Sequence, residues 1–209
     1  MPRAGLTTER LVSAAVELAD AVGFEHVSLS ALARRFGVRD ASLYSHVSGL
    51  RELRVRMALR AGGEMTDRIA AAVGDRTGRE ALAAFAGAYR AYALEHPGRY
   101  AATGIPLAGR DDADALAGSA VMRRTAEVTH GVLRAYGLAE PDLTDAVRLL
   151  RSTFHGFCAL EAAGGFGAPR GLQASWDKAV DALHVALVHW PRAPAGAGAG
   201  QDRSPTASA

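Results

Sequence analysis

An all-α fold is predicted for this chain, and three observations predict it. Alanine and glycine are abundant while β-branched runs are scarce, which favours helices over strands. Apolar residues recur at three- and four-residue steps along most of the chain. Ser, Thr and Asp stand where these patterns begin, and Gly or Pro where they stop. The pattern divides into about nine helices, and 209 residues suffice for one domain or two small ones with a real core.

Thr7 or Thr8 can cap the first helix, whose inward face is Leu11, Ala14, Ala15, Leu18, Ala19 and Val22 and which stops at Gly23. Ser28 caps the second, with Leu29, Leu32, Ala33 and Phe36 inward and Arg34 and Arg35 pointing elsewhere; Gly37 ends it. The third is short, from a cap at Asp40 to about Val47. Ser48 caps the fourth, Glu52 adds negative charge to its first turn, and it runs to about Val73 with an interruption at Gly62-Gly63. Later helices span about Arg79–Glu95, stopped by Pro97; Ala113–Tyr136, stopped by Gly137; Asp142–Ala162, before Gly164-Gly165; and Leu172–Trp190, closed by Pro191. A short turn covers Pro97–Ala102, and residues 192–209, without periodicity, read as a disordered tail.

Composition narrows the function. The single cysteine, Cys158, excludes an internal disulfide and offers no metal cluster. No apolar run approaches the roughly 20 residues that span a bilayer, and the start of the chain lacks the apolar stretch of a signal peptide, so a cytoplasmic protein without a membrane partner is expected. Net charge is only +2, yet residues 1–60 hold nine arginines against six carboxylates. A basic patch on a near-neutral chain points to a local polyanion.

That patch contains "GVRDASLYSHVSGLREL", from Gly37 to Leu53, a segment too polar for a core helix. Two short helices joined by "FGVR" match a helix-turn-helix, with Gly37 in the tight turn and Val38 and Leu43 as apolar anchors. Arg39, Asp40, Ala41, Ser42, Tyr44, Ser45 and His46 would then face outward. Small residues let such a helix lie deep in a major groove, where hydroxyls, a guanidinium and a ring reach bases and phosphates. Ser28, and Ser48 with Gly49, sit at helix N-termini whose N–H groups suit a phosphate. A solvated connector between two apolar helices is the competing reading.

The stretch "LTTERLVSAAVELADAVGFEHVSLSALARRFGVRDASLYSHVSGLREL" resembles the N-terminal domain of the TetR family of transcriptional regulators over about 48 consecutive residues. The resemblance implies a DNA-binding domain over 1–50, a helical ligand-binding and dimerisation domain over 51–191, and repression of a palindromic operator relieved by a small molecule. It implies that Tyr44 and His46 contact the DNA backbone, and that Arg39, Asp40, Ala41, Ser42 and Ser45 occupy base-reading positions. Leu50 stands where the family usually has a lysine; Arg51 is a candidate replacement for that phosphate contact. Asp40 either accepts from a cytosine amino group or caps its helix, the cap being favoured.

Two later helices carry apolar stripes: Leu143, Val147, Leu150, Phe154 and Phe157 on one, Trp176, Val180, Leu183, Leu187 and Trp190 on the other. With a second copy they can make a four-helix dimer interface, or they can fill the chain's own core. A homodimer is required if one recognition helix is too small for specificity. "LLRSTFHGFCALEAAGGFG" resembles a TetR subgroup named for a Trp-His-Gly, here Phe154-His155-Gly156. Met57, Met65, Phe85, Tyr89, Tyr92, Tyr100, Met122, Phe154 and His155 are candidate pocket residues for an apolar or aromatic effector, although each alone fits an ordinary core and His155 a hydrogen-bonded core position. Gly62-Gly63 is either a hinge between the domains or a close-packing site.

Two other classes remain as alternatives. A helical protein-interaction module lacks the steep salt dependence of DNA binding. An enzyme is disfavoured: seven histidines are scattered, His184 and His189 do not share a helix face, and Asp111, Asp112 and Asp114 read as a solvated acidic turn. No cofactor and no metal ligands are expected.

Overall fold

Thr7 and Ser28 start their helices as their hydroxyls suggest: Thr7 Oγ1 accepts from the Arg10 N–H and Ser28 Oγ from the Ala31 N–H, each at 3.2 Å. The computed structural model describes residues 5–105 and 112–191. These form α1 (Thr8–Val22), α2 (Leu29–Phe36), α3 (Leu50–Val73), α4 (Gly78–Glu95), α5 (Pro97–Ala102), α6 (Asp112–Leu133), α7 (Asp142–Ala162) and α8 (Leu172–Val188). Short 3₁₀ turns lie at Phe24–His26, Asp40–Leu43 and Arg134–Tyr136, and the described residues contain no strand. The all-α expectation holds. The predicted tail and Asp111 lie outside the described residues.

Two cores divide the molecule. A head core gathers Leu11, Ala15, Ala19, Phe24, Leu32, Leu43, Leu53 and Met57. A larger body core gathers Ile69, Leu82, Phe85, Tyr92, Leu133, Leu150, Phe154, Trp176 and Leu187. Helix α3 serves both, giving Met57 and Ala61 to the head and Met65 and Ile69 to the body. It runs unbroken through Gly62-Gly63, correcting the expected interruption: a methyl at Gly62 would meet Val121 at 3.4 Å, and one at Gly63 would meet nothing within 4 Å.

The head rests on the body through α5. Pro97 opens this helix at its first position, where a missing N–H costs nothing. A methyl group on Gly98 would lie 2.0 Å from the Ala19 carbonyl oxygen, so α5 and α1 touch backbone to backbone. Beside this contact, the Arg99 backbone N–H donates to Asp20 Oδ1 at 2.9 Å. The Arg99 guanidinium stands 2.9 Å from Asp20 Oδ2 and 3.2 Å from Glu64 Oε2, and His96 Nδ1 lies 3.2 Å from the same Asp20 carboxylate. Tyr92 donates to the Ala61 carbonyl at 3.1 Å; burial, then the Glu64 charge, push its phenol up.

The stripes on α7 and α8 pack chiefly inside the chain. Leu150, Phe154, Trp176, Val180, Leu183 and Leu187 are buried in the body core, and Leu143, Val147, Phe157 and Trp190 pack against it. The buried members are already in contact with α4, α6 and one another, as the own-core alternative expects. Arg90 ties this packing together. It pairs with Glu161, both side chains being 12–13 % exposed, and donates to Gln173 Oε1 at 2.7 Å. Its guanidinium also lies 5.4 Å from the Trp176 ring centroid.

Other expectations need correction. Val22 and Val38, read as inward, are 48 % and 37 % exposed. Neither completes a buried stripe, because Val22 is the last residue of its helix and Val38 sits on the turn after Gly37.

Candidate nucleic-acid interface and effector region

The reader segment is built by one glycine and two anchors. Gly37 ends α2 in the left-handed region (φ 65°), and the Val38 N–H returns to the Ala33 carbonyl at 3.0 Å. The chain then leaves extended at Arg39 and tightens into the Asp40–Leu43 3₁₀ turn. The expected third α-helix is thus a 3₁₀ turn extended by His46 and Val47 amides, which both donate to the Leu43 carbonyl. Leu43 and Val47 are buried in the head core. At the far side, Thr8 Oγ1 donates to the His46 carbonyl at 3.1 Å, so the start of α1 holds the end of this segment.

Everything else on the segment faces water. Arg39, Asp40, Ala41, Ser42, Tyr44 and Ser45 are exposed, Tyr44 at 58 %, and His46 is half-buried. Asp40 is not the cap: that position is Arg39, and Asp40 Oδ2 instead accepts a short hydrogen bond from Ser30 Oγ. Ser45 Oγ donates to the Ser42 carbonyl at 2.9 Å. Ser28 is half-buried and spends its hydroxyl as the α2 cap.

The start of α3 also differs from expectation. Gly49, not Ser48, is its cap residue, and Glu52 reaches back so that Oε2 accepts from the Ser48 N–H at 2.6 Å. Glu52 Oε1 accepts from Arg56 at 2.7 Å. Burial alone would raise the Glu52 carboxyl, but the Ser48 and Arg56 hydrogen bonds hold it below its ordinary value. An anionic side chain thus already holds the Ser48 amide, leaving Gly49 and the amides beyond it for a phosphate.

Charge pairing sorts the arginines of the head. Arg35 pairs with Glu17, Arg54 with Glu25, Arg56 with Glu52 and Arg60 with Glu64. Arg34, Arg39 and Arg51 are exposed, and their side chains have no hydrogen bond or ion pair among the described residues. Sequence reasoning discounted Arg34, although its place in the last turn of α2 beside the reader segment was already visible.

The candidate pocket residues separate. Met57 belongs to the head core and Met122 is 60 % exposed, so neither joins the others. Met65, Phe85, Tyr92 and Phe154 are buried in the body core. Tyr89, Tyr100 and His155 form a line: the Tyr89 and Tyr100 hydroxyls are 2.8 Å apart, and the Tyr100 hydroxyl is 2.7 Å from His155 Nδ1. Tyr89 is packed on Phe154, ring centroids 5.5 Å apart, and Phe154 on Phe85 at 6.0 Å. His155 is hydrogen-bonded as expected but exposed rather than in the core. The described residues contain no grouped metal ligands, and no described helix is long and apolar enough to cross a membrane.

A capped helix, a left-handed glycine and a polar turn on two buried anchors constitute a helix-turn-helix. Residues 11–54 match the family described as bacterial regulatory proteins, tetR family, and residues 82–183 match the tetracyclin repressor-like C-terminal domain. The chain is 35 % identical over 165 residues to YobS, an uncharacterized HTH-type transcriptional regulator of Bacillus subtilis, covering 79 % of this chain and 84 % of the relative. It superposes on a protein of unknown function from Rhodococcus sp. RHA1 with a TM-score of 0.70, 26 % identity, and coverage of 90 % and 99 %. It shares its fold with a TetR variant from Acinetobacter baumannii in complex with minocycline (TM-score 0.66, 21 % identity, coverage 88 % and 98 %). The chain belongs to the TetR family and is a DNA-binding transcriptional regulator.

Proposed function

We propose that two copies of this chain bind a palindromic operator as a repressor and leave it when a small apolar or aromatic molecule enters the body. The observation that carries this reading is the exposed Arg39–His46 rod standing on buried Leu43 and Val47, with unpaired Arg34, Arg39 and Arg51 around it. Such a rod presents hydroxyls, a guanidinium and a phenol to a groove while contributing only its anchors to the core. In this reading Tyr44, His46, Ser48 and Gly49 meet the backbone, Arg39, Ala41, Ser42 and Ser45 meet base edges, and Asp40 orients α2 against the rod through Ser30.

The dimer face in this proposal is the outward strip of α7 and α8, not their buried stripes. Leu160, Val185 and Val188 are about half exposed, and exposed Ala159, Ala163 and Ala182 extend the strip with small residues. A second copy seated there sets the separation of two reader segments to grooves about 34–36 Å apart or a multiple of that. The effector reading is supported by the rings of Phe85, Tyr89, Tyr100 and Phe154 meeting between α4, α5 and α7, and by the domain description matched there.

Footprinting on the DNA flanking its own gene tests this. The parent protects a palindrome, with affinity falling steeply as salt rises. Tyr44→Ala weakens binding to all sequences, and Arg39→Ala also relaxes base preference, by about 1–3 kcal/mol at the position it reads. If both variants bind like the parent, this rod is not the reader.

A further inference from the structure

We propose that the Tyr89–Tyr100–His155 line, with Arg151 beside it, is the anchor for the carboxylate of an aromatic acid; this deepens the effector reading above and rests on it. The line brings together side chains from α4, α5 and α7, with ring walls on its inner side and an exposed imidazole at its outer end. Arg151 lies one helical turn before His155 on α7, so both occupy one face of that helix. Its side chain is exposed and has no hydrogen bond or ion pair among the described residues. No carboxylate stands three or four residues from it on α7, where Asp145 pairs with Arg148 and Glu161 with Arg90.

The hydrogen-bond arithmetic favours an acceptor. Burial pushes the Tyr89 and Tyr100 phenols up, against the pull of the Arg151 charge, so both stay hydroxyls. When Tyr100 donates to His155 Nδ1, the imidazole carries its proton on Nε2. When the imidazole is a cation, Nδ1–H donates to Tyr100 and Nε2–H is again free. These two states offer a donor at the exposed end, next to a guanidinium; in the neutral tautomer whose Nδ1–H donates to Tyr100, Nε2 accepts instead, and a bound carboxylate selects the donor states. A carboxylate is acceptor-only and takes both donors, whereas an amide or amine leaves one unmatched or repelled. Behind the line, the buried Phe154 and Phe85 rings back Tyr89, so the ring of the ligand meets the His155 imidazole on the exposed side.

The test is calorimetric titration of the full-length protein with 2-naphthoate and its neutral isostere 2-naphthamide. The acid is expected to bind roughly ten- to hundredfold more tightly, the range of charge-assisted hydrogen bonds. Arg151→Gln, an exposed position that leaves the fold intact by circular dichroism, is expected to erase most of that preference, and His155→Gln part of it. Equal binding of acid and amide, a preference that survives Arg151→Gln, or no binding of the acid at millimolar concentration overturns the proposal. A footprint run in parallel separates the two readings. Release of DNA by some other molecule while naphthoate fails to bind removes the carboxylate anchor alone. Naphthoate held through Arg151 with DNA still protected keeps the anchor and removes its regulatory role.

Discussion

In the head, Leu11, Leu32, Leu43 and Leu53 fill a small aliphatic core, and the side chains that would meet DNA all point away from it. In the body, Phe85, Tyr92, Phe154 and Trp176 fill a larger core, and hydroxyl and guanidinium groups are enclosed among or against the rings. The contrast separates two ways of carrying a function. Reader residues can change without disturbing what holds the head together. Body rings that would touch an effector also support the fold, so a change of ligand preference there is a change of stability as well.

Five substitutions test this contrast; four run from the largest expected loss of stability to the smallest, and Tyr44→Ala stands beside Leu43→Ala as its exposed control. Both tryptophans, Trp176 and Trp190, lie in the body, so their fluorescence follows body unfolding while operator binding follows the head. Phe154→Ala empties a site in contact with Phe85, Tyr89 and Trp176 and costs about 4 kcal/mol, lowering the fluorescence midpoint strongly. Leu43→Ala, at a position with no exposure, costs about 3 kcal/mol and removes operator binding. Its neighbour Tyr44→Ala leaves the melting temperature within about a degree, since an exposed side chain contributes little to stability. Equal melting losses from these two adjacent positions would erase the distinction between core and reader.

Gly98→Ala forces α1 and α5 apart and costs about 2 kcal/mol, with head and body affected together. Glu52→Gln is the smallest of the four losses, below about 1 kcal/mol for a partly solvated carboxylate. Its sign with pH is definite. The folded-state value is depressed, so the contribution is complete above the ordinary value of 4.5 and is lost as pH falls through the lowered folded value. Acid titration of stability is therefore shallower in the variant; an unchanged profile would mean that the Ser48 and Arg56 bonds contribute nothing in solution.

The head was legible in the sequence because its motif is contiguous: Ser28, Gly37, Leu43 and the polar run between Arg39 and His46 lie within nineteen residues. What escaped there was short-range competition. Glu52 took the Ser48 N–H while Gly49 took the cap position, and Ser30 claimed the Asp40 carboxylate. The body was less legible for a different reason. Periodicity in α7 and α8 tells that a stripe is buried but not against what, and the stripes turned out to be internal. An outward strip of alanines has little hydropathic contrast to announce it. The Tyr100–His155 bond joins residues 55 apart, a distance no local pattern encodes.

Helix α1 is touched at both ends by groups that matter. Near its C-terminus, Ala19 and Asp20 are locked to Gly98 and Arg99, and next to Arg99 stands Tyr100. Its first residue, Thr8, holds the His46 carbonyl. Fifteen helical residues make a rod about 22 Å long, stiff enough to act as a pushrod between the tyrosine line and the reader. Under the proposed release, a displacement of α5 would be carried to His46 along this helix, because the Gly98 contact leaves no gap to absorb it. Mechanical economy of this kind makes Thr8, remote from any effector and from every base edge, a place where signal transmission can be lost while affinity at each end survives.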